Sequence, residues 1–368
     1  MLTNTEYERL ALTGGLNLSD GHARATLDAE QRRILTAMDR HLQRADSAGQ
    51  DDLEHAFLES FFALAGETRW QHSPGRFLTF SASSAIKIAA QVCRLRQQRV
   101  LLIEPCFDNI RHLLATEGVD LQPLPENEII SAGRLLDEHT TVWLVLPNNP
   151  TGFTLDRHQF RRIAHDCAVA GATLIVDSCF RFHTTTTAGW SRYEILHDEN
   201  PSFALIEDTG KTWPTYDLKI GATLTSADLA PDFHRLHDQL LLNVSPLHLI
   251  VLREFIDDSR RRGLGRTVTA VIDRNRTGVH ALVDDGLLGH PSPWCANVPM
   301  EFLALPHDHD AVEFWAALRE RHVDILPAHN YYWSDPTRGR GTFRIPLSRP
   351  PEHLDAAVDV IRQVLNGR

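Results

Sequence analysis

Short apolar runs alternate with helical patterns through the middle of the chain. Four runs are rich in Val, Ile, Leu and Thr and have the length of buried strands. The segment Arg157–Ala170 lies between two of them and carries apolar residues at helical spacing. This alternation predicts right-handed βαβ units, and therefore an α/β fold with a mostly parallel sheet. The predicted strands are Val100–Ile103, Thr141–Leu146, Thr173–Asp177 and Phe203–Glu207.

Helical patterns also flank this region. Asp28 with Gln31 fits a helix cap, and apolar residues then recur on one face, which predicts a helix over 29–45. The apolar residues of that face are Ile34, Leu35, Met38 and Leu42. Further helices are predicted at Pro246–Arg261, at about 308–322 and at 352–366.

These elements divide the 368-residue chain into three parts. Residues 1–24 are polar, contain glycines and have no long apolar period, so we interpret them as an N-terminal arm or lid. Residues 46–250 hold the predicted sheet and form a large domain. Residues 25–45 together with 251–368 form a smaller α/β domain. Open parallel sheets bind ligands beyond the carboxyl ends of their strands, so we expect the chemistry at that edge.

Composition and charge exclude several functions. With 42% hydrophobic and 23% charged residues the chain is typical of globular proteins, and no apolar run approaches the ~20 residues of a membrane span. The net charge of −11 argues against nucleic acid or an anionic membrane as a partner, because both require a cationic surface. A cationic small substrate is compatible with it. Residues 1–9 lack the features of a secretory signal, so we expect a cytoplasmic protein.

The cysteine and histidine patterns predict no metal site. The five cysteines are odd in number and widely spread, so we interpret them as reduced thiols. The run His307–Asp310 resembles a set of metal ligands, but an aspartate ahead of a predicted helix is more simply a helix cap. The cysteines are Cys93, Cys106, Cys167, Cys179 and Cys295.

Polar side chains follow the predicted strands. Asn149 lies in a turn after the second strand, Asp177 ends the third, and Lys211 follows the fourth. Of the 37 basic residues only Lys87, Lys211 and Lys219 are lysines, so a retained lysine invites a chemical explanation. Arg344 lies far downstream in an apolar segment.

The order and spacing of Asn149, Asp177, Lys211 and Arg344 resemble those of the fold-type I pyridoxal-phosphate (PLP) enzymes, the aspartate aminotransferase superfamily, over residues 27–368. The resemblance implies the fold-type I PLP-dependent transferase fold, with a large domain and a smaller C-terminal α/β domain. It also implies pyridoxal 5'-phosphate as the cofactor and a homodimer, because this family builds its sites at a subunit interface.

The demands of that cofactor agree with the residues present. An aldehyde cofactor needs a lysine amine to hold it as a Schiff base, and Lys211 can supply it. A pyridine nitrogen that must stay protonated needs a carboxylate, which Asp177 can provide. Asn149 can donate to the phenolic oxygen, and Phe107 can stack on the ring.

The cofactor phosphate needs donors at a helix N-terminus. Ser83 and Ser84 precede a helical segment and fit that role. Lys219 stands where the family usually has an arginine for the phosphate, and a point charge can replace the guanidinium there with less geometric restraint.

Two positions depart from the aminotransferase pattern. Phe180 stands where the family usually has a tyrosine, so one hydrogen bond to the phenolic oxygen is lost. Asp208 stands where the family usually has a phosphate-binding serine. Since an anion repels a phosphate, we expect the Asp208 carboxylate to point away from the phosphate site.

Three further segments are similar to the PLP-dependent arginine oxidases and hydroxylases, a subgroup that includes an enzyme of the enduracididine pathway. This similarity implies oxygen-dependent oxidation of free L-arginine to 2-ketoarginine, with or without 4-hydroxylation, so that L-arginine and O2 are the expected small-molecule partners. The segments are Asn17–Arg24, Glu207–Pro214, and Ser245–Leu247 with Arg253–Phe255.

The same similarity implies roles for individual residues. Glu8, Asp20 and Asp208 align with acids that bind the guanidinium group, His22 with a catalytic lid histidine, and Arg344 with the group that binds the substrate carboxylate. Without the resemblance, we would interpret Glu8 and Asp20 as solvated charges on a mobile arm. His22 could likewise be an ordinary surface residue, and Arg344 would look the same in sequence if it formed a structural ion pair.

Two other functions stay open at this point. An aminotransferase acting on a basic amino acid would use the same core residues. A non-catalytic relative that binds ligands is a further alternative, although the retained Lys211 and Asp177 argue against it. The sequence does not decide between hydroxylation and simple oxidation.

Overall fold

Eleven strands form two sheets in the part of the chain that the structure describes. The structure is a computed structural model, and it describes residues 2–184, 189–291, 296–306 and 309–367. The strands are β1 (Leu16–Leu18), β2 (Gly75–Thr79), β3 (Arg99–Glu104), β4 (Leu121–Pro125), β5 (Thr140–Val145), β6 (Thr173–Asp177), β7 (Ser202–Asp208), β8 (Gly221–Thr225), β9 (Met300–Ala304), β10 (Val323–Pro327) and β11 (Thr342–Pro346).

The larger sheet has seven strands in the order β2-β8-β7-β6-β5-β3-β4. The pairs from β4 through β7 are parallel, and β8 runs antiparallel to both β7 and β2. Every residue of β5 and β6 is buried, as expected for strands covered on both faces. The four predicted strands are therefore confirmed as β3, β5, β6 and β7. The carboxyl ends of these strands meet at one edge, where ligands bind in such sheets.

Helices cover this sheet and the smaller one. The predicted helix at Arg157–Ala170 is confirmed with the same bounds. The helices are α1 (Asn4–Ala11), α2 (Ala29–Thr36), α3 (Met38–Ser47), α4 (Gln50–Ala65), α5 (Ala82–Leu95), α6 (Asp108–Thr116), α7 (Arg157–Ala170), α8 (Arg192–Glu199), α9 (Ala230–Leu240), α10 (Pro246–Arg262), α11 (Ala270–Asp284), α12 (Ala311–Arg319) and α13 (Pro351–Leu365). Among the residues described, none of these helices has the length and apolar character to cross a bilayer.

The prediction of a single helix over 29–45 is wrong. The capping box of Asp28 and Gln31 is present, but the helix breaks at Ala37, where ψ is 27°. The break lets the ring of His41 bond the Ile34 carbonyl at 2.8 Å, so His41 is buried and Leu42 is 45% exposed. The buried face of α3 is therefore set by the hydrogen bond of the His41 ring. The spacing of apolar residues gives no sign of such a bond.

The start of α12 and the cysteines match their predictions in part. Asp310 is the N-cap of α12, since its carboxylate accepts from the backbone N–H groups of Val312 and Glu313. His307 and Asp308 lie outside the described residues. Four cysteines are buried free thiols, and the remaining one, Cys295, lies outside the described residues. The four are Cys93, Cys106, Cys167 and Cys179.

Residues 1–24, interpreted above as an arm, contain a helix and a strand. Strand β1 pairs in parallel with β10 and so joins the smaller sheet, whose order is β1-β10-β11-β9. At Gly15, with φ +74°, a Cβ would lie 2.2 Å from the His322 carbonyl oxygen, so the close approach of β1 requires glycine. Helix α1 buries Tyr7 and Ala11. The segment therefore docks through apolar and backbone contacts, which a search for long periods misses.

Helix α10 packs against α2, α3 and α4, which lie on both sides of the predicted boundary at residue 46. Its N-terminus lies in the predicted large domain and the rest in the predicted small domain. The division at residues 46 and 250 therefore stays a prediction.

A buried ion network supports the sheet beneath its carboxyl edge. The Arg181 guanidinium lies 2.8 Å from the carboxylate of Glu67 and 2.7 Å from that of Glu207, and all three side chains are almost completely buried. Burial raises the pKa of Glu207 to about 7, although the charges of Arg181 and Arg192 act against this rise. The Arg181 guanidinium therefore pairs directly with two buried carboxylates, and Arg192 adds a second positive charge nearby.

The turn after β5 is held by a buried carboxyl group. The Glu126 Oε1 atom accepts from the Asn148 amide at 2.6 Å and from the Thr151 hydroxyl at 2.5 Å. Burial raises the pKa of Glu126 from 4.5 to about 7, against the effect of those two hydrogen bonds. Because Asn149 lies between its two partners, Glu126 orders the turn that carries a predicted site residue.

Replacing Arg181 by alanine is expected to lower the free energy of unfolding by about 3–5 kcal/mol, because it removes the guanidinium that pairs with two buried carboxylates. Urea denaturation measures the change. The control is Arg33→Ala, which removes an arginine that is 71% exposed and paired with an exposed glutamate. It is expected to cost no more than about 1 kcal/mol. An equal loss in the free energy of unfolding for the two variants would contradict a stabilising role of the buried ion network.

Glu126→Gln is expected to change the pH dependence of stability. A folded-state pKa raised to about 7 means that Glu126 favours folding only while it is protonated, so the wild type loses stability as pH rises from 4.5 to 7. The loss relative to the glutamine variant is about 3 kcal/mol across that range. Urea denaturation at several pH values measures it, with the exposed Glu138→Gln as the control. Parallel stability curves for wild type and Glu126→Gln would refute the raised pKa.

Candidate active site

A pocket at the carboxyl edge of the large sheet collects seven of the predicted site residues. Phe180, the residue found where the family usually has a tyrosine, also lines it. The parallel strands β5, β6 and β7, or the turns that follow them, provide three of the seven. Helices α1, α5 and α6 and strand β11, or their flanks, provide the other four. The seven are Glu8, Ser83, Phe107, Asn149, Asp177, Lys211 and Arg344.

Asp177 is a buried carboxylate at the end of β6. Its Oδ1 atom accepts from the Cys179 backbone N–H at 3.0 Å. Burial raises the pKa of Asp177, while the hydrogen bonds with Cys179 and the charge of Lys211 act in the opposite direction. A carboxylate in such a place gains more from a cationic partner than a solvated one would.

Lys211 lies in the turn after β7, on the same pocket as Asp177. The His183 ring contacts the Lys211 backbone carbonyl at 3.1 Å. The neighbouring backbone N–H of Gly210 donates to the Asp208 carboxylate at 2.6 Å. The turn is therefore fixed through its backbone, which leaves the lysine side chain to extend into the pocket.

Asn149 is oriented by two donors on its amide oxygen. Its Oδ1 atom accepts from the Tyr331 hydroxyl at 3.3 Å and from Arg344 Nη1 at 3.2 Å. The amide NH2 group is consequently the part of Asn149 that remains to donate to a ligand. Tyr331 also contacts Phe107, with the rings edge to face and their centroids 6.0 Å apart. Sequence reasoning missed Tyr331, and no local pattern marks it.

Arg344 is completely buried and joins β11 to the N-terminal segment. Its Nη2 atom lies 3.1 Å from the Glu8 carboxylate and also donates to the Ser19 carbonyl. At Gly21 a Cβ would lie 3.3 Å from Nη1, so the chain passes close to the guanidinium there. The Nε atom of Arg344 is buried and has no hydrogen-bond partner among the described residues.

The N-terminus of α5 lies beside the pocket. The helix begins at Ala82, earlier than expected, so Ser83 and Ser84 belong to its first turn. Ser81 is the N-cap, and its side chain accepts from the Ser84 backbone N–H. The serine-rich sequence could have revealed this cap. Ser83 Oγ accepts from the Asn109 amide at 3.1 Å.

Asp208 points towards this helix N-terminus and not away from it, so that expectation is wrong. Its Oδ2 atom accepts from the Ala82 backbone N–H at 2.7 Å, and Oδ1 accepts from the N–H of Gly210. The positive end of the helix dipole and two N–H donors stabilise a buried carboxylate there. The electrostatic attraction of the helix end decides the orientation of Asp208.

His22, Asp20 and Lys219 form a chain of contacts next to the pocket. The two ring nitrogens of His22 contact Asp20 at 2.5 Å and Lys219 Nζ at 3.1 Å. The charge of Lys211 and burial lower the pKa of His22, against the opposing effect of Asp20. Burial alone would raise the pKa of Asp20, but His22 and Arg349 hold it well below its usual range. His22 is therefore neutral near pH 7, next to an ionised carboxylate.

Arg349 holds the backbone of the same segment. It donates to the carbonyl of Asn17 at 2.7 Å and to that of His22 at 2.8 Å, and it also donates to the Asp20 carbonyl. Asp20, His22 and Lys219 contact one another beside the pocket, whereas Glu8 lines the pocket itself. Sequence reasoning missed Arg349, which lies five residues after Arg344 in the primary structure.

Comparisons with known proteins agree with this geometry. The family model for aminotransferase class I and II matches residues 10–361. A structure of MppP soaked with the product 2-ketoarginine has 34% sequence identity over 95% of this chain and 99% of that chain, with a TM-score of 0.90. No match was found among curated proteins.

More distant structures share the fold. Aspartate aminotransferase from Thermus thermophilus with maleate has 15% identity over 99% of this chain and 97% of its own, with a TM-score of 0.80. LysN, an alpha-aminoadipate aminotransferase from Thermus thermophilus complexed with N-(5'-phosphopyridoxyl)-L-leucine, has 15% identity over 98% and 94%, with a TM-score of 0.80.

The family match covers nearly the whole chain, and the pocket lies at the sheet edge where the fold binds its ligands. The chain therefore belongs to the aminotransferase class I and II family, as a PLP-dependent enzyme of fold type I near MppP.

Proposed function

We propose that this enzyme oxidises free L-arginine with O2 to 2-ketoarginine, 4-hydroxy-2-ketoarginine or both, and releases ammonia and hydrogen peroxide. The observation that carries the proposal is the 34% identity, over 95% of the chain, with MppP, whose structure was soaked with the product 2-ketoarginine. A second observation supports it: an acid, Glu8, and an arginine, Arg344, line the same pocket as Lys211. Free L-arginine has a cationic guanidinium and an anionic carboxylate, so its pocket needs both a negative and a positive side chain.

The residues present fit pyridoxal 5'-phosphate. The Lys211 amine would hold the aldehyde carbon, Asp177 would pair with the pyridine nitrogen, and the free NH2 of Asn149 would donate to the phenolic oxygen. Phe107 would pack on the ring. When bound, the cofactor supplies an electron sink for the electron pair left at the substrate Cα.

The phosphate group would lie at the N-terminus of α5, with Ser83, Ser84 and Lys219 as its partners. The Ala82 N–H is taken by Asp208, so the phosphate would rely on the serine hydroxyls and the lysine. The Lys219 ammonium group also contacts His22, so it would have one neighbour towards the phosphate and one towards the substrate.

Arg344 and Lys211 would act on the α-amino acid end of the substrate. The Nε atom of Arg344, which has no hydrogen-bond partner in the described part of the chain, would bind the α-carboxylate. Release of Glu8 would free Nη2 for the second hydrogen bond of a bidentate pair. The Lys211 amine, which lies on the same pocket, would take the proton from Cα. Asp177 would stay ionised beside the protonated pyridine nitrogen of the cofactor, and so would favour loss of the Cα proton.

Glu8, Asp208 and Asp20 would bind the guanidinium end. A buried guanidinium requires paired anions, because its desolvation is costly. Glu8 lies on the pocket, and the Asp208 carboxylate is held rigidly by two backbone N–H groups. Asp20, which already contacts His22 and Arg24, would provide the third negative charge.

His22 would act late in the reaction, on the substrate side chain. A neutral imidazole can accept a proton from water, and the pKa of His22 is lowered by Lys211 and by burial. Residues 1–24 would form a lid that excludes bulk water from a reactive intermediate. The product ratio between ketone and hydroxylated ketone would then depend on His22.

An aminotransferase acting on a basic amino acid is the alternative function. The family model and the more distant structures favour it, since those structures are of aminotransferases. The two functions differ in their electron acceptor: transamination stops without a 2-keto acid, whereas oxidation requires O2. As part of the arginine-oxidation proposal, we also propose that the enzyme is a cytoplasmic homodimer with a role in antibiotic biosynthesis.

Purified enzyme with L-arginine under air and without a 2-keto acid is expected to consume O2 and to release ammonia and 2-ketoarginine. An oxygen electrode and product mass spectrometry measure the reaction, and catalase tests for peroxide. Lys211→Ala is expected to abolish turnover, while Lys87→Ala, which removes an ion-paired lysine outside the pocket, is the control. Turnover that requires a 2-keto acid and ignores O2 would establish the aminotransferase alternative.

Glu8→Gln is expected to lower kcat/KM for L-arginine by about 10- to 100-fold, since one charge-assisted hydrogen bond is worth about 1.5–3 kcal/mol. For L-citrulline, a neutral isostere of arginine, the loss should be much smaller, because its ureido group carries no charge. Initial rates with both substrates measure the ratio, and Glu138→Gln serves as an exposed control. An equal loss for both substrates would refute recognition of the guanidinium by Glu8.

A further inference from the structure

Three potential metal ligands from separate elements meet beside the smaller sheet. His280 lies on α11, Glu301 on β9, and His290 in the segment between them. One ligand atom from each lies within 4.8 Å of the other two. They lie 10 and 11 residues apart in sequence. This matches no short spacing typical of metal ligands, so the sequence pattern did not reveal them.

The two carboxylate oxygens of Glu301 have different partners. Arg276 pairs with Oε1 and also donates to the Val298 carbonyl at 2.9 Å. The other oxygen, Oε2, lies 3.3 Å from His280 Nε2 and 3.8 Å from His290 Nδ1. Arg276 therefore fixes the carboxylate in the orientation that turns Oε2 towards both imidazoles.

We propose that His280, His290 and Glu301 bind a divalent transition-metal ion such as Zn²⁺. Two ligand atoms bound to one tetrahedral zinc ion lie roughly 3.4 Å apart, because each is about 2.0–2.1 Å from the metal. The observed separations need only small side-chain shifts to match this value. Two imidazoles and a carboxylate are a set of three protein ligands that zinc accepts.

Burial and charge set the expected strength of this site. Glu301 is completely buried, whereas His280 is 29% and His290 is 20% exposed, so an ion can enter from the histidine side. Arg276 neutralises the only anionic ligand and lowers the attraction for a cation. We therefore expect a micromolar affinity, weaker than that of thiolate-rich structural zinc sites.

A bound ion would connect α11 to β9. Glu301 is paired with Ile345 on β11, the residue that follows Arg344. None of the three ligands lines the pocket of Lys211, so the site would act on the stability of the smaller sheet. The inference is independent of the reaction proposed above.

Titration calorimetry of the untagged holoenzyme with Zn²⁺, without amino acid, tests the proposal. We expect one site of micromolar affinity and a higher Tm with zinc than without it. His280→Gln and His290→Gln should each weaken binding by about tenfold or more and remove the rise in Tm. The control is His234→Gln, which removes a histidine that is 71% exposed on α9 and should leave binding unchanged.

Absence of zinc binding by the wild type at submillimolar concentration would overturn the proposal. Equal affinity in wild type and both cluster variants would overturn it as well, since the chain has 20 histidines and exposed ones can bind zinc adventitiously. If neither variant folds, X-ray absorption at the zinc edge of the wild type decides. Two imidazole ligands support the cluster, and any other number contradicts it.

Discussion

The buried guanidinium of Arg344 is the interaction on which the assembly of the pocket depends. It connects β11 to the turn after β5 through Asn149, and to the N-terminal segment through Glu8 and Ser19. A charge completely removed from water is costly unless acceptors surround it, so each of these segments must arrive at its correct position. The requirement of one side chain for partners thus brings together parts of the chain that are more than 300 residues apart in sequence.

Electrostatics organise the pocket around this contact. Burial favours the neutral form of Asp177, and the charge of Lys211 opposes that effect. The same lysine charge keeps His22 neutral, while Asp20 stays ionised through His22 and Arg349. The groups at the sheet edge therefore have different protonation preferences, which acid–base chemistry at one site requires.

Regular elements were predictable wherever local chemistry determined them. The strands of the large sheet follow from short apolar runs, and α7 follows from its spacing and from the Asp156 capping box. The site residues on strand ends were predictable for the same reason, since parallel strands bring their ends together. Family resemblance, and not periodicity, identified Glu8 as a member of the site.

Features set by tertiary contacts were not predictable. The break at Ala37 brings the His41 ring to the Ile34 carbonyl, and the orientation of Asp208 depends on the end of α5. Tyr331 contacts Asn149 from a remote part of the chain, with no sequence pattern that announces it. In each case a polar group finds a partner that is close in space and distant in sequence.

The way Arg349 holds residues 17–22 has a consequence for how the enzyme can diversify. It binds carbonyl oxygens of Asn17, Asp20 and His22, and these groups are the same in every amino acid. The contribution of Arg349 to the path of the segment therefore does not depend on which side chains the segment carries. The side chains of Asn17 and Asp20 add hydrogen bonds of their own to the backbone N–H groups of Ser19, Asp20 and His22. An exchange of a side chain in this segment leaves the bonds from Arg349 to the backbone in place. Sequence variation at such positions therefore does not require a new scaffold.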